Sequence, residues 1–118
     1  MYSIVNVIYG IPITDEIEKR NQELLDADPN EEDESLGEEL ECYGFETFYS
    51  GSHSGIVGYL GVELSDFDEC HSYLKFKDLK FEPTPAQKAE AEKKIANLDN
   101  RFKDVLPEIG VYLIFSTS

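Results

Sequence analysis

Nine carboxylates and not one lysine or arginine lie between Asp26 and Glu41. A run of that density offers two chemistries, chelation of a hard cation and electrostatic capture of a basic surface. Chelation is poorly served. Asp26, Asp28 and Asn30 supply the ligand types of the first, third and fifth positions of a calcium loop. The sixth position, where glycine makes the sharp turn, is Glu31; the twelfth, where a bidentate glutamate closes the shell, is Gly37, with Glu38 one step late. No metal is therefore expected. Capture is served better. Double-stranded DNA carries one negative charge per ~1.7 Å of axis, and Glu31, Glu32, Asp33, Glu34, Glu38, Glu39 and Glu41 offer a similar field on a polypeptide. Such a surface suits the groove of a basic nucleic-acid-binding protein, with fast, steered association that salt weakens. The plain alternative is a solvated acidic loop that maintains solubility.

A second cluster runs Tyr49-Ser50-Gly51-Ser52-His53-Ser54-Gly55, followed by Gly58, Tyr59 and Gly61. Glycines let successive backbone N–H groups converge on an anion, hydroxyls and an imidazole add donors, and Tyr49 and Tyr59 are placed to stack on a base. This predicts a pocket for a nucleotide or another anionic small molecule. The same residues are also those that hairpin turns prefer, and neither a Gly-x-x-x-x-Gly-Lys-Ser/Thr nor a Gly-x-Gly-x-x-Gly pattern is present. Gly58 and Gly61 inside one apolar run imply a bulge or a close approach to the backbone.

Catalysis finds less support. His53 sits among Ser50, Ser52 and Ser54, but neighbours on a turn lack the fixed hydrogen bond and the orienting third group that activate a nucleophile. Cys42, His53, Cys70 and His71 match no zinc spacing. Asp66, Asp68 and Glu69 read as acids at a helix N-terminus. The chain is accordingly read as non-enzymatic, with no catalytic residue and no cofactor.

The charge balance bounds the partners. The 118 residues carry 25 acidic and 10 basic side chains, a formal net charge of −15. Residues 1–74 hold 18 of the acids and two of the bases; residues 75–118 hold seven acids and eight bases. Direct binding to nucleic acid or to an anionic membrane is disfavoured by repulsion. In composition the chain resembles the small acidic inhibitors made by phages, and it shares no motif with them. No apolar run approaches the ~20 residues that span a bilayer, and the first residues lack a signal peptide's positive region, so a cytoplasmic protein with reduced cysteines is expected.

The elements that position these clusters follow from periodicity. Residues 3–9 are apolar on both faces apart from Asn6, the pattern of a central strand covered on both sides. Thr14 caps a predicted helix with Asp15 and Glu16 in its first turn and Ile17, Leu24 and Leu25 as its stripe, ending near Ala27 before Pro29. An acidic loop over 26–41 leads to two β-prone runs, Leu40 to Tyr49 and Ile56 to Leu64. Ser65 is expected to cap a helical turn over Asp66 to His71, and Leu74 to Phe81 alternate well enough for an extra edge strand. Thr84-Pro85-Ala86-Gln87 is a capping box, and Ala91, Ile95, Leu98, Phe102 and Val105 carry a helix as far as Pro107. Gly110 opens a last strand, Val111 to Phe115.

The order β-α-β-β-α-β predicts one α+β domain over 1–118, a two-layer sandwich with an antiparallel sheet and two helices on one face, ferredoxin-like in topology. The last strand then lies at an edge with no charge to discourage pairing, so either the extra segment Leu74 to Phe81 covers that edge or two copies associate there as a homodimer.

Overall fold

The apolar residues after Ser3 form a strand, β1 (Ser3–Pro12), whose neighbours lie on both sides of it. A computed structural model describes residues 3–27, 40–48, 56–68 and 80–117 of the chain. After β1 come α1 (Asp15–Ala27), β2 (Glu46–Phe48), β3 (Val57–Asp68), α2 (Pro85–Ala96), a 3₁₀ helix (Asn100–Val105) and β4 (Gly110–Thr117). The four strands make one sheet in the order β2-β3-β1-β4, every neighbouring pair antiparallel. The architecture is α+β and compatible with a two-layer sandwich. No helix among the described residues is long and apolar enough to cross a membrane.

Alternation along the central strands divides the core between two faces. On one, Ile11 of β1 and Leu60 of β3 meet Ile17 of α1, Ile95 of α2, and Leu40, Phe45, Leu98 and Phe102. Val7, Val62 and Leu64 continue that face toward Ala91 of α2. On the other, Ile8, Tyr59 and Ile114 pack together with Phe48, Val57 and Tyr112 beside them. Val7 and Ile8, adjacent in sequence and opposite in direction, are both fully buried, as expected of a doubly covered strand. The ladder slips between them: Val7 faces Ser65 and Ile8 faces Glu63, so Leu64 is the extra residue of a bulge.

Both helices start as their sequences dictate. The Thr14 Oγ1 accepts the Ile17 N–H at 3.3 Å, and three acids occupy the first turn of α1. At Thr84 the capping box is reciprocal: Gln87 N–H donates to Thr84 Oγ1 at 3.1 Å and Thr84 N–H donates to Gln87 Oε1 at 2.9 Å.

Four expectations are corrected. The run Leu40 to Tyr49 is not one strand: Leu40–Cys42 are helical, and among its described residues Glu46–Phe48 pair with β3. Phe45 N–H donates to the Leu40 carbonyl and Gly44 N–H to that of Glu41, at 3.1 and 3.0 Å, with Gly44 at φ +102°. That is a Schellman helix end, sealed by the buried pair Leu40 and Phe45. Of the helical turn predicted over Asp66 to His71, Asp66–Asp68 are strand instead, because β3 runs on through Asp68 opposite Ile4, and residues 69–71 lie outside the described residues. The second helix stops at Ala96, where Asn97–Asp99 turn the chain, and Asp99 caps a separate 3₁₀ helix by accepting the Arg101 N–H at 2.9 Å. Of the acidic loop predicted over 26–41, Asp26 and Ala27 belong to α1 and Leu40 and Glu41 to a helical end, and residues 28–39 lie outside the described residues. Of the proposed extra strand, residues 74–79 lie outside the described residues, and Lys80 and Phe81 are not in a strand.

Candidate functional site

The acidic run enters and leaves through fixed structure. At its start Asp26, in the last turn of α1, accepts Gln22 Nε2–H at 2.8 Å from one turn earlier. At its end Leu40 is fully buried against Ile17, Phe45 and Phe102. Glu41 is exposed, and its Oε1 accepts the Thr47 hydroxyl at 2.5 Å. Glu31, Glu32, Asp33, Glu34, Glu38 and Glu39 lie outside the described residues. Among the described residues the carboxylates of Asp15, Glu16, Glu23, Asp26, Glu46 and Glu63 are all exposed. Glu18 is different. Half-buried, it accepts the Ile56 N–H at 2.5 Å and so ties the start of β3 to α1.

Three cations of the second half, Lys94, Arg101 and Lys103, have partners among the described residues. Lys94 pairs with Glu90 at 3.7 Å, one turn earlier on α2, and donates to the Gly61 carbonyl at 3.1 Å. Arg101 holds Asp99 at 2.8 Å, and that hydrogen bond, reinforced by the Arg101 backbone N–H, keeps the Asp99 carboxyl down at about 2. Lys103 donates to the carbonyls of Ile95 and Ala96 at 2.6 and 3.1 Å, neutralising the negative end of α2. Arg20, one of only two bases in residues 1–74, forms a two-pronged pair with Asp104 at 2.7 and 2.8 Å, donates to the Arg101 carbonyl and contacts Glu23 at 3.3 Å. The Asp104 hydrogen bonds raise the Arg20 pKa and lower that of Asp104. This clamp joins α1 to the 3₁₀ helix, and it gives a cation of the acidic half to an acid of the other half.

The second cluster is divided by the structure. Tyr49, Ser50, Gly51, Ser52, His53, Ser54 and Gly55 lie outside the described residues. Tyr59, expected to stack on a base, is 6% exposed and stacks on Phe48 with ring centroids 5.9 Å apart. Burial pushes its phenol up to about 12, with the negative charges of Glu63 and Glu46 adding to the shift. The two strand glycines also have an internal explanation. A Cβ on Gly58 would come within 1.9 Å of the Glu46 carbonyl oxygen on β2, and one on Gly61 within 2.2 Å of that of Tyr9 on β1. Gly61 faces Gly10 across the ladder, both at positive φ. The close approach inferred from sequence is that of the neighbouring strands.

Sequence reasoning missed the Arg20–Asp104 clamp and the burial of two asparagines. Asn21 lies fully buried within the stripe of α1. Asn6, 6% exposed on β1, donates to Glu63 Oε1 at 2.8 Å. Asn21 had a readable signal, falling four residues after Ile17 and so on the same helix face.

No known protein family, curated protein or solved structure matches this chain.

Proposed function

We propose that the protein is a non-enzymatic interaction protein whose acidic surface, centred on Glu31, Glu32, Asp33, Glu34, Glu38, Glu39 and Glu41, binds a basic nucleic-acid-binding protein and inhibits it in the place of nucleic acid. One observation carries this reading: the chain keeps 18 of its 25 acids in residues 1–74 with two bases, while Lys94, Arg101 and Lys103 serve Glu90, Asp99 and the end of α2. Charge segregated this way creates a field with reach beyond single ion pairs, and a clustered anionic field attracts cationic grooves. A protein that needed only solubility has no physical reason to concentrate it.

The order β2-β3-β1-β4, antiparallel throughout, with one helix after β1 and another after β3, supports the finer ferredoxin-like description of the fold. In chain order the acidic segment lies between α1 and the edge strand β2.

The test is capture from a cell lysate on the immobilised protein, at low and at high salt. Basic nucleic-acid-binding proteins are expected at low salt and their loss at high salt. A variant carrying Glu31→Lys, Glu32→Lys, Glu38→Lys and Glu39→Lys is expected to retain none of them. Undiminished capture by that variant at low salt contradicts the proposal.

A further inference from the structure

β4 pairs with β1 from Gly110 to Thr117 and with no other strand among the described residues. In an antiparallel ladder alternate residues turn their N–H and C=O groups away from the neighbour, so an edge strand of this length offers a second row of backbone donors and acceptors. The side chains leave that row unprotected. Val111, Leu113 and Phe115, alternating and therefore on one face, are 41, 41 and 62% exposed, and Ile109 just before them is 38% exposed. No side chain from Ile109 to Thr117 carries a charge at neutral pH. The cause is the helix layer: α2 packs on β3 and β1, and the apolar row of β4 extends beyond it.

We propose that β4 is a homodimer interface, at which two copies of this chain pair β4 with β4 in antiparallel fashion across a two-fold axis and continue the sheet to eight strands. The occupant of this edge must supply an open strand, carry no charge where side chains meet, and present apolar side chains in alternation on one face. A second copy meets all three conditions by symmetry. An axis normal to the sheet through Leu113 sets Leu113 beside its own equivalent and Val111 beside Phe115 twice, small against large. Because such an axis preserves the faces of the sheet, the exposed row meets the exposed row, and Tyr112 and Ile114 keep their places in the opposite cluster.

Electrostatics favours this partner at this edge over another. Two chains of −15 repel, and residues 75–118, with seven acids and eight bases, are the part through which they approach with least repulsion. The sheet order sets β2, with its exposed Glu46, at the far end, three strand spacings or about 14 Å away, beyond a Debye length at physiological salt. A basic protein gains nothing from an uncharged strand and is drawn to the acidic half instead. A strand-to-strand contact is smaller than the ~800 Å² per partner of a standard interface, so association in the micromolar range is expected.

Sedimentation equilibrium of the full chain at high salt, from low to high micromolar concentration, tests the proposal. The wild type is expected to rise from 13.4 kDa toward twice that mass, while Leu113→Lys and Phe115→Lys stay at the lower value throughout. Both sites are solvent-exposed, and unchanged far-UV circular dichroism verifies that the variants fold. Glu46→Lys on the opposite edge is expected to associate like the wild type. Amide hydrogen exchange of the wild type supplies a readout independent of any variant: protection of residues 111–115 is expected to grow with concentration. A single mass of 13.4 kDa at every concentration, a dimer that survives both lysine substitutions, or protection independent of concentration overturns the inference.

Discussion

Among the described residues the sheet ends in two edges built on opposite plans. At one end β2 is three residues long, carries the exposed Glu46 and is pressed so closely onto β3 that only glycine fits at position 58. At the other, β4 is eight residues long, uncharged from end to end, and leaves Val111, Leu113 and Phe115 open to water. The first plan discourages another strand and the second invites one. Under the two proposals the edges divide the work of association: the short, charged edge follows the acidic segment proposed to bind a basic partner, and the long, neutral edge is the one proposed to bind a copy of the same chain.

Substitutions at the two ends can break this comparison, and the largest effects are expected at the β2 end. Phe102 is fully buried and meets Tyr43 edge-on at 4.9 Å and Phe45 at 6.4 Å, the residues that lead the chain into β2. Phe102→Ala is expected to cost about 3–5 kcal/mol in denaturant unfolding. Gly58→Ala forces β2 off β3 and is expected to cost about 1–3 kcal/mol. Its counterpart is Gly110→Ala at the start of β4, where a Cβ would meet only the Tyr112 ring at 3.9 Å; a change within about 0.5 kcal/mol is expected there. Equal losses at Gly58 and Gly110 contradict the claim that the two edges differ in how tightly they are held.

Smaller effects sharpen the picture. Thr84→Ala removes one half of the capping box of α2 and should cost about 1 kcal/mol. Tyr59 yields a pH signature. Its phenol titrates at about 12 when folded, against an ordinary value of 10.0, so the folded state retains a proton that the unfolded state loses. Stability should therefore fall as pH rises from 10 to 12, and Tyr59→Phe should remove that part of the slope. Asp99 and Asp104 act in the opposite direction. Their folded carboxyls titrate below the ordinary 3.8, so their contribution is present above pH 4 and is lost as pH falls toward 2. Both groups face water, and a slight flattening of the acid unfolding curve in Asp99→Asn and Asp104→Asn is the expected outcome. Thermal-shift screening with nucleotides is expected to move the melting temperature least, given the burial of Tyr59.

The legible parts of this fold were those where local chemistry and tertiary packing agree. Thr14 and the Thr84 capping box announce their helices through side-chain hydrogen bonds that form within one turn, and β1 and β4 carry apolar patterns that only strands accommodate. The misreadings occurred where two local codes overlap. Leu40 to Phe45 is rich in β-prone aromatics, yet Gly44 ends a helix there, and glycine placed directly after an apolar-acidic turn was the available signal. Ser65 with Asp66 and Asp68 imitates a helix cap, but the long-range ladder to Ile4 and Asn6 holds the backbone extended. Leu98 and Phe102 keep helical spacing through the break at Asn97–Asp99, because a 3₁₀ turn returns nearly the same face to the core.

Of the candidate site, composition displayed the charge but not its bookkeeping. Which cations are engaged, and by which carbonyls and carboxylates, depends on contacts such as Arg20 with Asp104, 84 positions apart, that no local pattern encodes. The burial of Tyr59 was hidden for a related reason: it arises from the pairing of β3 with β2 and β1, which sets Phe48 over its ring.

The central claim is that the acidic surface occupies a site made for nucleic acid, and competition tests it most directly. A partner captured on the immobilised protein at low salt is challenged with increasing duplex DNA or RNA. The account predicts that nucleic acid releases the partner in proportion to its own affinity, and that the bound partner binds no nucleic acid until it is released. A partner that stays on the protein while binding nucleic acid normally contradicts it.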